Sequence, residues 1–153
     1  MELSIPLSVR VEHDELNADL VQAAQKPGRI GEAAILVAAL MRPHFLREEE
    51  FALPPLALLP ALTEGKITPS MAGVLPLTEK LKAELPRMLE EHRQIVIALE
   101  NLKQVAQEEG SEACAELADR AILHAQNEEE VTYPASILIG EYLKLRFGPP
   151  ATP

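Results

Sequence analysis

The segment His44-Phe45-Leu46-Arg47-Glu48-Glu49-Glu50, running on to Pro54, returns later in the chain as His124-Ala125-Gln126-Asn127-Glu128-Glu129-Glu130, running on to Pro134. Histidine, three glutamates and proline match in register, so the chain reads as two related halves. On a helix, residues i and i+4 lie only about 40° apart around the axis and about 6 Å apart along it. His44 and Glu48 can therefore face one point, as can His124 and Glu128. Each copy is preceded by a segment with one further histidine, His13 in the first half and His92 in the second, which completes the set of 4 histidines in the chain. Around His92 the helical neighbours Met88, Leu89, Ile95, Val96 and Leu99 are apolar, so this imidazole points into a core; at His13 the same test finds Leu16 and Leu20.

The rest of the chain supports a helical reading. Aromatic residues make up 3%, tryptophan is absent, and Ala, Leu, Glu, Lys and Gln dominate long stretches, which favours helix over sheet. The apolar spacing predicts a first helix over 7–25, ended by Pro27-Gly28, and a second over about 30–51, crossed by Pro43, which should bend it. A third runs from about Leu77 or Pro86 to Glu109, and Gly110-Ser111 supplies a left-handed stop followed by an N-cap. A fourth covers about 112–146, disturbed at Pro134. Between the pairs, residues 52–76 form a Pro-rich connection in which Thr68-Pro69 reads as a capping hydroxyl before a first-turn proline. Residues 148–153 read as a loose tail.

The expected fold is therefore an all-α, up-down four-helix bundle, a single domain over 1–153 with its core at about 7–146. At a rise of about 1.5 Å per residue, His13 and His44 lie about 21 and 24 Å from their shared turn, and His92 and His124 about 27 and 20 Å from theirs. His13 and His44 thus meet at a similar depth, while His92 and His124 match more loosely, a difference that loop geometry or the proline bends have to absorb.

Charge and composition exclude several functions. With 14 Lys+Arg against 24 Asp+Glu, the net charge of -10 repels phosphate backbones and attracts cations, so nucleic acid is not an expected partner. The longest apolar run, 33–41, is about half of the roughly 20 residues needed to span a bilayer, so no membrane partner is expected. The start of the chain lacks a basic then apolar leader, and its 1 cysteine, Cys114, reads as a small core residue; a cytoplasmic address is expected. No nucleophile paired with a base and no Gly-rich phosphate loop is visible, and nothing in the sequence settles whether the protein is an enzyme. A homodimer is compatible with the sequence.

A lone histidine on an apolar face is usually an ordinary core residue. Four aimed at one interior, with two carboxylates, are harder to accommodate, because each unpaired buried polar group costs about 1–3 kcal/mol and charged carboxylates cost more. A cation satisfies His13, His44, Glu48, His92, His124 and Glu128 together, and bridging carboxylates suit a pair of metals better than one. Tyr133 lies nine residues after His124, on the far side of a regular helix, unless Pro134 rotates it inward as a tyrosinate ligand. Glu12, Glu15, Glu90 and Glu91 flank the histidines as a solvated face, as an extra metal ligand or as acceptors for imidazole N–H groups. Glu49, Glu50, Glu129 and Glu130 read as surface or as such acceptors.

The doubled pattern of His, then His-x-x-x-Glu-Glu-Glu ending in proline, resembles the hemerythrin-like HHE cation-binding domain over about Leu7 to Arg146. The resemblance implies the hemerythrin four-helix bundle around two non-heme Fe ions joined by an oxo or hydroxo bridge. His13 and His44 would serve one iron, His92 and His124 the other, with Glu48 and Glu128 bridging; zinc or manganese in the same cage is the weaker alternative. Oxygen-carrying members place a second histidine four residues from the first on the third helix, where this chain has Met88 and Val96. Each metal then keeps an open position, which argues against reversible oxygen carriage and for binding, sensing or reacting with O2, NO or peroxide. The alternative is a regulatory or interaction module whose metal adjusts stability or partner binding without catalysis.

Overall fold

A computed structural model describes residues 3–149. The described residues are mostly helical, with no strand among them: α1 (Leu7–Ala24), α2 (Arg29–Arg47), a short α3 (Leu59–Thr63), α4 (Leu75–Glu108), α5 (Glu112–Asn127) and α6 (Tyr133–Phe147). Pro43 lies within α2 and Pro86 within α4, which runs unbroken from Leu75, slightly earlier than its apolar pattern suggests. In the connection, 3-10 turns at Pro54–Leu58 and Pro69–Val74 flank α3. Thr68 precedes Pro69 as expected, yet its hydroxyl bonds Ser70 Oγ at 2.9 Å and caps nothing. Gly110 takes φ 71°, the left-handed stop its position requires, while Ser111 makes no side-chain cap. Of the expected loose tail, Gly148 and Pro149 lie outside the helix, and 150–153 fall outside the described residues.

The second and fourth expected helices are each interrupted at the repeated glutamates. Glu48–Ala52 and Glu128–Thr132 are single π-helical turns. Leu53 N–H donates to Glu48 O at 2.9 Å, five residues back, and Tyr133 N–H does the same to Glu128 O. The prolines account for this. Pro54 and Pro134 have no N–H to give, and in a regular α-helix each ring would collide with the carbonyl four residues earlier; widening the preceding turn relieves the clash.

α1 packs on α2, α2 on α4, α4 on α5, and α5 back on α1, while α6 packs on α4 and on the turns of the connection. One apolar cluster fills the space towards the α1–α2 and α4–α5 turns, with Leu20, Val37, Leu99, Leu102 and Ala118 fully buried. Others lie at the opposite end, around Leu53, Val74 and Leu143 and around Phe51, Leu81 and Tyr133. Cys114 is buried in the first cluster, as its sequence context suggests. Along α1, α2, α4 and α5 the histidines fall between these apolar ends, so a polar layer is sealed above and below. α6 closes tightly on α4: a Cβ at Gly140 would meet Thr78 Oγ1 at 2.2 Å, which leaves glycine as the residue that fits. No helix among the described residues is long and apolar enough to cross a membrane.

Candidate metal centre

The six sequence-selected side chains converge in this layer, none more than 5% exposed. Their donor atoms form two groups, each within 4.8 Å: His13, His124, Glu48 and Glu128 in one, and His44, His92, Glu48 and Glu128 in the other. The pairing of histidines by hairpin, His13 with His44 and His92 with His124, is not the one the fold makes. Imidazoles meet across the α1–α5 and α2–α4 interfaces instead, with ring centroids 5.0 Å apart for His13 and His124 and 4.6 Å for His44 and His92.

The two carboxylates divide their oxygens between the groups. Glu48 Oε2 lies 3.6 Å from His13 Nε2, while Glu48 Oε1 lies 3.1 Å from His44 Nε2 and 3.9 Å from His92 Nε2. Glu128 Oε1 lies 3.3 Å from His13 Nε2 and 2.9 Å from His124 Nε2, while Oε2 lies 3.2 Å from His92 Nε2. Every imidazole thus turns Nε2 inward, and each carboxylate offers one oxygen to either side.

The outward nitrogens meet carboxylates as well. His44 Nδ1 lies 2.7 Å from Glu91 Oε2, His92 Nδ1 2.9 Å from Glu129 Oε1, and His124 Nδ1 3.0 Å from Glu12 Oε1. The approach of His13 Nδ1 to Glu49 Oε1 is longer, at 3.5 Å. Such partners fix ring orientation and strengthen a metal-binding imidazole as a donor. Glu91 is itself held by Arg47 at 2.5 Å and Arg87 at 3.1 Å. Glu15, Glu90, Glu50 and Glu130 stay on the exposed surface. Periodicity could not separate the four glutamates that reach an imidazole from those that do not, since all eight are neighbours of a histidine or of Glu48 or Glu128 in sequence.

Tyr133 is the residue that sequence reasoning left at the margin. Five residues of α-helix turn about 500°, which would leave Tyr133 about 140° away from Glu128. The π turn places residue i+5 roughly one turn above residue i, and the phenol enters the layer at 1% exposure. Its hydroxyl donates to Glu48 Oε1 and lies 3.3 Å from His44 Nε2 and 3.2 Å from His92 Nε2. The signal was the proline immediately after it.

Electrostatically the layer is a set of coupled pairs. Burial pulls His92 down, but its bonds to Glu128, Glu48 and Glu129 outweigh this and raise its pKa to about 10. His124 is raised to about 9 against the same burial, by Glu128 first. His44 is raised against burial by Glu48 and Glu91. Burial pushes Glu128 up, yet His124, His13 and His92 hold it well below the ordinary carboxylate range. Glu91 is lowered too, Arg47 and His44 outweighing its burial. For Tyr133, burial and then the charges of Glu48 and Glu128 all raise the pKa, so without a cation the phenol is a proton donor.

Two inward donor atoms, Glu48 Oε2 and His124 Nε2, are buried with no partner in hydrogen-bond geometry. Lone pairs of imidazole and carboxylate aimed at a common space are the complement of a cation, so these residues can hold a metal ion; nitrogen and oxygen donors of this kind suit several divalent or trivalent metals. Comparison with protein-family models, with curated proteins and with solved structures finds no match for the chain.

Proposed function

We propose that the chain is a hemerythrin-like protein, an up-down four-helix bundle holding two non-heme irons, that binds, senses or reacts with O2, NO or peroxide. The observation that carries this reading is the division of Glu48 and Glu128, each with one oxygen directed to a His13/His124 position and the other to a His44/His92 position. A single ion would need only one such face. Bound there, an iron pair supplies redox change and open coordination positions. Glu12, Glu91 and Glu129 would keep the imidazoles turned inward, and the apolar clusters at either end would keep bulk water out. Access favours small ligands: a cleft of about 400 Å³ between α4 and α5 reaches the edge of His92 beside Val96, Ile97 and Ala125. The larger cleft on the outer face of α1 and α2 touches no member of the layer. A cytoplasmic address suits a buried free thiol and a supply of ferrous iron.

Anaerobic reconstitution with ferrous salt, elemental analysis and an absorption spectrum after oxidation test the reading. Two irons per chain with the bands of a bridged ferric pair are expected; trace iron after reconstitution would overturn it, and preferential retention of zinc or manganese would reassign the metal. Glu48→Gln and Glu128→Gln should abolish the spectral response to O2, NO or peroxide while the helices persist.

A further inference from the structure

The two halves of the chain are not equivalent where the metals would sit. In the repeat, Tyr133 occupies the position held by Leu53 in the first half, and Phe45 the position held by Ala125 in the second. Matching π turns deliver both Leu53 and Tyr133 to the interior, each no more than 1% exposed. Leu53 enters the apolar cluster below the polar layer. The Tyr133 hydroxyl instead stands among His44 Nε2, His92 Nε2 and Glu48 Oε1. On the other side the Phe45 ring stacks on His13 with centroids 4.1 Å apart and meets His124 edge-on at 5.9 Å, offering no donor atom.

Donors bound about 2.1 Å from one ion lie about 3.0 Å apart when octahedral neighbours and about 3.4 Å apart when tetrahedral. The phenol oxygen keeps distances of 3.3 and 3.2 Å to the two imidazole nitrogens, which is that spacing. The Tyr133 ring also stacks on His92 with centroids 5.5 Å and planes 17° apart, which holds the phenol beside that imidazole.

We propose that Tyr133 is a fifth protein donor to the His44/His92 position, so that the two metal positions differ in composition and bind metal unequally. The His44/His92 position fills first and favours a hard trivalent ion, while the His13/His124 position, with four donors under the Phe45 ring, is the weaker and more exchangeable one. On coordination the phenolic O–H bond is replaced by an O–metal bond and the proton passes to solvent; a bound cation reverses the local preference for the protonated form. This inference rests on the dinuclear reading above.

The test compares the whole wild-type chain with Tyr133→Phe, both loaded with ferrous iron under argon and oxidised by ferricyanide, which takes one electron from each iron. The wild type should show a visible phenolate-to-iron charge-transfer band whose resonance Raman spectrum contains phenolate ring modes; the variant should show neither. Titration with Co²⁺ should be biphasic for the wild type. In the variant the tight phase should weaken on the order of 100-fold, since even groups behind the direct ligands are worth about 10- to 100-fold in affinity. Circular dichroism in chelator checks that the variant is folded, and Tyr133→Leu, the residue of the matching position, replaces it if it is not. A wild-type protein that holds two irons without the band, or a variant with an unchanged Co²⁺ curve, overturns the inference and leaves the dinuclear reading standing. Failure to take up either metal removes both.

Discussion

Replacing Glu128 with glutamine removes the charge on which three imidazoles converge. In the metal-free protein at neutral pH, His92 and His124, with pKa values of about 10 and about 9, carry protons. Glu128 accepts from His13 at 3.3 Å and lies 3.2 Å from His92 and 2.9 Å from His124. Glutamine keeps the shape, yet it leaves buried cations facing a neutral amide. Removing one partner of a buried pair costs about 3–5 kcal/mol. Glu48 remains 3.6 Å from His13 and 3.9 Å from His92, which puts the loss near the lower end, about 3 kcal/mol. At roughly 2–4 °C per kcal/mol for a chain of this size, the melting temperature should fall by about 6–12 °C.

The sign with pH follows from the direction of each shift. Raised histidine values mean that the stabilisation is fully present below about pH 6.5 and is lost as pH rises through about 9 and about 10. The depressed Glu128 value means that it is present above about pH 4.5 and is lost as pH falls through the lowered value. The gap between wild type and Glu128→Gln should therefore be widest between these limits and close at either extreme. Urea unfolding of chelator-treated protein, followed by circular dichroism at a series of pH values, measures it. A gap that is absent, or constant across the series, would refute the account of the layer as charged pairs.

Because His92 and His124 carry protons when metal-free, loading metal at neutral pH should release protons, and affinity should fall as pH is lowered; calorimetry in buffers of different ionisation enthalpy reads both. Glu91→Gln replaces the charged acceptor 2.7 Å from His44 Nδ1 with a neutral amide and should weaken metal binding by about 10- to 100-fold in a chelator competition, with little change in the chelated fold. Gly140→Ala drives a methyl group against Thr78 and should cost about 1–3 kcal/mol in urea unfolding; an unchanged midpoint would mean that α6 does not sit so tightly on α4.

Much of this was legible in the chain. Apolar spacing of three and four marked the helices, Gly110 marked the stop between α4 and α5, and the repeat of His-x-x-x-Glu marked four of the six polar members of the buried layer, since i and i+4 must share a face. His13 and His92 followed from their apolar surroundings. These are local properties, set by the rise and turn of a single helix.

Which imidazole stands beside which was not legible. Periodicity tells which way a side chain points from its own axis, and says nothing about which helix stands on that side; His13 meets α5 and His44 meets α4 because of the order in which the helices pack. The entry of Tyr133 depended on a widened turn rather than a regular one. The choice of Glu12, Glu91 and Glu129 among many glutamates depended on rotation by a few tens of degrees. Sequence alone established helices with inward-facing imidazoles and carboxylates, because helical geometry is short-range. The partners of those groups, and the entry of Tyr133 among them, came from packing, because contacts between residues distant in the chain are set by how helices seat against one another.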